Sequence, residues 1–254
     1  MEEIRVDLAV IGSGPGGQKA AIQAAKLGKR VVIIEKDNVL GGACLNSGTI
    51  PSKSLRAAIL DLTEFHERSF YGKDCIKKQV SINDLNYRLN KVLEEQRNMI
   101  NRQFKKNEVR FVQGTARFEN QNTLLVVDEE FRLVCQIYSD YIVIASGSKP
   151  RNPIHVPFDD EVILDSTRLL SIDDLPKELI VLGGGIIGSE YASFFAALGT
   201  KVTVVDKKEH MLPLLDAEIG VHLQTALSEF GVSFIGNAKP EKIHIFLIIL
   251  SILG

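Results

Sequence analysis

Tryptophan is absent, cysteine and methionine occur three times each, and neither sign of charge dominates: 30 Lys and Arg stand against 32 Asp and Glu, a formal net charge of -2. Each scarcity excludes something. Cys44, Cys75 and Cys135 lie far apart, with neither a metal-ligand spacing nor the even count of a secreted disulfide framework, so no metal is expected. The balanced charge offers no basic face to nucleic acid or to an anionic membrane, and neither is expected as a partner. The chain opens on Glu2 and Glu3 and runs into a short apolar strand, without the basic start of an export signal, which points to a cytoplasmic protein. Long hydrophobic runs are missing too. The apolar tail at 243–254, IHIFLIILSILG, falls short of the roughly 20 residues that cross a bilayer. It reads either as a buried strand or as residues standing where a longer protein would continue. The histidines, His66, His155, His210, His222 and His244, share no motif and none is assigned as an acid or base.

What the sequence does contain is hydrophobic patterning in repeated units. Residues 4–11 (IRVDLAVI) read as a buried parallel strand, 16–28 as an alanine-rich helix and 30–35 (RVVIIE) as a second strand, a βαβ unit. A helix is expected from Pro51 to about His66, and a long polar one over 81–106 with Leu85, Leu89, Val92, Ile100 and Phe104 on one face. Segments near 109–113, 122–127 and 131–137 predict an antiparallel excursion before a strand at 140–145 returns to the main sheet. The proline-rich stretch SGSKPRNPIHVP then reads as a connection between domains. A second βαβ unit follows, with a strand at 178–183, a helix at 186–198 and a strand at 201–205, then a helix near 216–230 and a strand near 232–235. The fold class is therefore α/β with two Rossmann-like dinucleotide-binding domains, divided as 1–150 and 151–254.

Both units carry the same loop. In the first, Gly12, Gly14 and Gly17 stand at G-x-G-x-x-G spacing between strand and helix, and Glu35 ends the next strand 23 positions after Gly12. The first glycine permits the tight turn, the second lets a pyrophosphate reach the backbone, and the third lets helix and strand pack closely. A carboxylate at the strand end can accept hydrogen bonds from ribose hydroxyls. In the second, Gly183, Gly185 and Gly188 repeat the spacing, and Asp206 again falls 23 positions after the first glycine. An acid there favours the free 2′-hydroxyl of NAD, whereas Lys207, Lys208 and His210 either neutralise the 2′-phosphate of NADP or form a solvated turn.

Between the two loops lies GGACLNSGTIPSKSLR, residues 41–56, which resembles the active-site stretch of the class I pyridine nucleotide-disulfide oxidoreductases. The resemblance runs from about residue 4 to residue 242. It implies FAD at the first loop, NAD or NADP at the second, and nicotinamide nucleotides as partners. In that family two cysteines form a redox-active disulfide beside the flavin; the matching positions here are Cys44 and Thr49, and a threonine cannot complete the pair. The single-cysteine form followed by GTIPSK is similar to the soluble pyridine nucleotide transhydrogenases, whose hydride transfer needs no dithiol. A divergent dihydrolipoamide dehydrogenase and a nucleotide-binding fragment without activity are the rival readings. The resemblance also implies that Glu35, Lys36, Gly41, Gly42 and Cys44 lie along FAD, that Lys53 sits near flavin N5, and that Glu190 pairs with Lys53 and joins the two domains. Lys53, Glu190 and Cys44 are thus the candidate catalytic groups. Ala116, Ser146 and Gly147 match further FAD contacts. Members of the family are longer than this chain, so a second FAD segment and a homodimer-forming interface domain are expected to be missing after residue 242.

Overall fold

The structure, a computed structural model, describes residues 2–67, 82–154, 156–240 and 249–251. Cys75, His155, His244 and most of the apolar tail lie outside the described residues, as does the side chain of His66. The chain forms two compact units, Met1–Pro51 with Asn90–Lys149, and Ser52–Leu89 with Pro150–Gly254.

The first unit is built on a six-stranded sheet. Its parallel part joins β1 (Glu2–Ile11), β2 (Val31–Glu35), β3 (Arg110–Gln113) and β6 (Leu133–Ile144) in the order β3-β2-β1-β6. Every residue of β2, VVIIE, is buried, as expected of a strand covered on both faces. The helix α1 (Pro15–Lys26) follows β1 with Pro15 in its first turn, where a missing N–H breaks no bond. Beyond β6 the sheet continues antiparallel through β5 (Thr123–Val127) and β4 (Thr115–Asn120). A single residue, Gly114, separates β3 from β4 although they stand at opposite ends of the strand order. It adopts φ +146, and a Cβ there would lie 2.7 Å from the Val127 carbonyl oxygen, so only glycine makes this corner. The core holds Ile4, Val6, Val32 and Ile34 from one part of the sheet and Leu124, Val126 and Ile137 from the other.

Two expectations for this unit change. The strands read at 131–137 and 140–145 are one strand, β6, because β1 pairs with it in one register from Glu2↔Cys135 to Ile11↔Ile144, on both sides of the polar Ser139 and Asp140 that break the apolar pattern. The strand β4 has no counterpart in the sequence reading; its TARFEN segment is mostly exposed and is held by antiparallel pairing with β5.

The second unit carries a parallel sheet of β7 (Ile163–Asp165), β8 (Glu178–Leu182), β9 (Lys201–Val205), β10 (Ser233–Ile235) and β11 (Ile249–Ser251) in the order β10-β9-β8-β11-β7. The helices α5 (Ile186–Ala197) and α6 (Ala217–Glu229) complete the βαβ pattern. The apolar tail thus yields a strand, with Ile249 in register with both Ile163 and Ile180.

One boundary between the units is Lys149/Pro150, and the helices α3 (Thr49–Glu67) and α4 (Ile82–Lys106) contribute two more. These two fall inside the helices, at Pro51/Ser52 and Leu89/Asn90, so residues 52–89, expected in the first domain, group with the second unit. The reason is packing: Leu55, Ala58 and Ile59 of α3 and Leu85 of α4 join one buried cluster with Leu179, Val181, Tyr191, Phe195 and Val204. Among the described residues no helix is long and apolar enough to cross a membrane.

Candidate functional site

The two glycine loops are superposable in their chemistry. Gly12 takes φ +103 and Gly183 φ +108, a region that side chains disfavour, and this turns the chain from strand into helix. A Cβ on Gly17 would lie 1.9 Å from the Gly12 oxygen, and one on Gly188 would lie 1.9 Å from the Gly183 oxygen, so each helix packs on its strand through bare backbone. Gly14 and Gly185 sit at the N-cap positions of α1 and α5, and neither helix has a side-chain cap or an acid in its first turn. Their first N–H groups, with the positive end of the helix dipole, face outward for an anion. A Cβ on Gly16 or on Gly185 would meet nothing within 4 Å, leaving open space above the loops for a pyrophosphate.

Each loop is held by the acid that ends the following strand. Buried Glu35 accepts through Oε2 from the Ser13 N–H at 2.8 Å and the Ser13 hydroxyl at 2.7 Å, and through Oε1 from the Asp37 N–H at 3.2 Å. Asp206 repeats this with the Gly184 N–H at 2.6 Å on Oδ2 and the Lys208 N–H at 2.8 Å on Oδ1. The acids expected to meet ribose are therefore loop clamps as well, with lone pairs left over for a hydroxyl. Ser13, at the variable position of the first loop, carried no signal in the sequence. Its hydroxyl also accepts from the Gly41 N–H at 3.1 Å, which ties the loop to the next segment. Glu35→Gln should replace one accepting oxygen by an NH₂ and set donor against donor at Ser13. The expected outcome is about ten-fold weaker FAD binding and about 1–2 kcal/mol lower stability, measured by flavin fluorescence titration and urea denaturation.

The Gly41–Gly42 turn lies directly on the first loop. Gly41 has φ +111 and Gly42 φ +61, and a Cβ on Gly42 would fall 2.7 Å from the Gly14 Cα. The short helix α2 (Gly42–Asn46) follows and carries Cys44, a half-buried free thiol. Thr49 begins α3. Lys36 is exposed just beyond β2. Ala116 lies in β4, paired with Val126 and packed on the core, two residues after Gly114, whose N–H bonds the Glu35 carbonyl at 2.8 Å. Ser146 and Gly147 follow β6, and a Cβ on Gly12 would approach the Ser146 Cα to 3.3 Å. The structure thus brings Gly12, Gly14, Gly17, Glu35, Gly41, Gly42 and Ser146 to one end of the first sheet.

In the second unit Lys53 Nζ lies 2.5 Å from Glu190 Oε1. The pair does not join two units as the resemblance implied: α3 packs into the same core as α5, so both residues belong to the second. The side chains are 59% and 20% exposed, and a pair so open adds under about 1 kcal/mol to stability. Its value is the placement of a cation. Beneath it, Tyr191 is buried in edge-to-face contact with Phe194, and burial, with the nearby Glu190 charge, pushes its phenol above the usual range.

With this geometry in place, comparison with known proteins is direct. A family profile described as pyridine nucleotide-disulphide oxidoreductase matches residues 6–245. The chain is 46% identical over 229 residues to a soluble pyridine nucleotide transhydrogenase of Mycobacterium tuberculosis, covering 90% of this chain and 49% of that protein. It is 37% identical over 238 residues to a dihydrolipoyl dehydrogenase of Bacillus subtilis, covering 93% of this chain and 51% of that one. Among solved structures it is similar to the Cu(II) complex of the HOCl-induced flavoprotein disulfide reductase RclA from Escherichia coli, with TM-score 0.83 and 30% identity over 100% of this chain and 57% of that one. The chain spans about half the length of the curated relatives it matches. Two glycine loops with strand-end acids, the stretch from Gly41 to Lys53 and a profile match over nearly the whole chain lead to one conclusion: the chain belongs to the pyridine nucleotide-disulphide oxidoreductase family, whose members work with FAD and a nicotinamide nucleotide.

Proposed function

We propose that this chain is an FAD-dependent oxidoreductase of transhydrogenase type, moving hydride between NAD(H) and NADP(H). The observation that carries the reading is a pair of matching anion-ready loops, one in each unit, together with a flavin-side stretch in which Cys44 has Thr49 in place of a second thiol. The relatives named as transhydrogenases support it. The net reaction, NADPH with NAD⁺ giving NADP⁺ with NADH, moves one hydride and needs neither a proton nor a disulfide. A bound FAD supplies reversible hydride acceptance and donation.

The protein's residues supply binding and charge. The N–H groups of Gly14, Gly16 and Gly17 hold the FAD pyrophosphate, with Glu35 at the ribose and Gly41, Gly42 and Cys44 alongside; Lys36, Ala116, Ser146 and Gly147 are the outlying contacts. The loop at Gly183, Gly185 and Gly188 holds the nicotinamide nucleotide, with Asp206 toward a free ribose and exposed Lys207 and Lys208 beside it for a 2′-phosphate. Lys53, steadied by Glu190, offers positive charge to the reduced flavin.

Purified protein should take up FAD and turn yellow, and anaerobic NADH or NADPH should bleach it; a colourless chain that binds no added FAD sinks the proposal. Cys44→Ser should keep most of the hydride transfer to a second nicotinamide nucleotide, since no thiol takes part. The similarity to a dihydrolipoyl dehydrogenase favours a second reading, lipoamide reduction. NADH-dependent reduction of lipoamide by the wild-type chain, with no transfer between nucleotides, would replace the first reading by the second.

A further inference from the structure

The Gly41–Gly42 turn is gripped from the side opposite Ser13 by a contact that spans 51 residues. Asn46, in α2, donates from Nδ2 to the Leu40 carbonyl at 3.2 Å and to the Gly42 carbonyl at 3.0 Å. Its Oδ1 accepts from Arg97 on α4, from Nε at 3.2 Å and Nη2 at 2.7 Å. An amide can turn end for end, but a guanidinium only donates. With Arg97 on Oδ1, the NH₂ group is forced toward the two carbonyls; without it, a flipped amide would set its oxygen against theirs. All four residues, Leu40, Gly42, Asn46 and Arg97, lie in the first unit.

We propose that Arg97 is a positioning residue for the flavin site, acting through Asn46 to pin the Gly41–Gly42 turn against the pyrophosphate loop. The inference rests on the reading of the first loop as the FAD site. The turn needs such a grip. Both of its glycines sit in left-handed conformations, which glycine leaves as readily as it enters, and the turn's backbone forms one wall of the cradle over Gly14. A charge-assisted bond to the amide fixes the orientation that two neutral carbonyls alone would hold weakly.

Three variants of the full chain test it. Arg97→Met frees the amide. Asn46→Asp keeps a partner for Arg97 and removes both donors to the turn, so it separates positioning of the turn from mere anchoring of α4. Arg97→Lys can donate one bond to Oδ1 and should rescue in part. Titration by flavin fluorescence should show FAD binding weakened about ten-fold in Arg97→Met and in Asn46→Asp, with NADH affinity unchanged. In the chain without FAD, amide exchange of the Gly41 N–H should speed up in both variants, and the double variant should add nothing further. Wild-type Gly41 exchange in Arg97→Met, or wild-type FAD affinity in Asn46→Asp, would overturn the proposal. If the wild type itself takes up no FAD, the proposed function fails, and the Gly41 exchange alone still decides the role of Arg97.

Discussion

Gly17→Ala should weaken FAD binding about 100-fold and leave NADH binding intact, while Gly188→Ala should do the reverse. One methyl group suffices because the atoms it meets are backbone: the carbonyl oxygen of the first glycine at 1.9 Å, its carbon at 3.1 Å, and a valine methyl, Val10 Cγ1 at 3.2 Å or Val181 Cγ1 at 3.3 Å. No side chain can swing away from such a clash. The helix must lift from its strand, and its N–H groups then leave the place where the pyrophosphate sits. Overpacking of this severity costs about 3 kcal/mol, equivalent to roughly 100-fold in binding. Gly16→Ala is the control for stability and not for binding, since its methyl enters the space left open for the pyrophosphate. It adds the same methyl one position earlier in α1, where nothing lies within 4 Å, and alanine there should raise stability by about 0.5–1 kcal/mol. Calorimetric titration with FAD and with NADH, beside urea denaturation, reads all three. Tight FAD binding by Gly17→Ala would mean that the first loop is not the flavin site.

Lys53→Met should slow reduction of bound flavin by NADPH about 100-fold and leave the fold untouched. The two halves of that expectation come from one measurement of exposure. A lysine 59% open to solvent gives little to stability through its bond to Glu190, so its loss should shift the unfolding free energy by under about 1 kcal/mol. Charge that develops on a reduced flavin in a site shielded by bound nucleotide meets no such screening, and a cation held in place is worth far more there. Glu190→Gln keeps a hydrogen-bond acceptor and should show a smaller loss. Rapid-mixing measurement of flavin bleaching under anaerobic conditions gives the rate directly. If Lys53→Met bleaches as fast as wild type, Lys53 is a surface lysine and the assignment falls.

What could be read from the sequence was whatever depends on neighbours along the chain. Gly12 and Gly17 announce a tight strand-to-helix turn because only glycine survives there, and the buried VVIIE of β2 announces a strand covered on both faces. The Lys53–Glu190 pair, 137 residues apart, came from resemblance and not from pattern. Contacts of that span leave no local mark. Arg97 and Asn46 look like ordinary polar residues of a helix and a loop, and Ser13 fills a position that any small residue could occupy. The strand β4 lacks alternation because one pairing partner, β5, holds it at the sheet edge. The allegiance of residues 52–89 was equally hidden, since the apolar faces of α3 and α4 show that they need a core but not which core.

The acid clamps have a consequence for timing. Because the bonds from Ser13 to Glu35 and from Gly184 to Asp206 are made within the chain itself, the loops gain their order from folding. The loss of conformational freedom is then borne once, during folding, and is not repeated at each encounter with ligand. Arrival is then a matter of diffusion and of fit to a loop already shaped by its own acid. Departure is also simple, since the clamp that remains is the one that was there before. Under the proposed function, in which nicotinamide nucleotides come and go in every cycle, the second loop does not have to be rebuilt between visits.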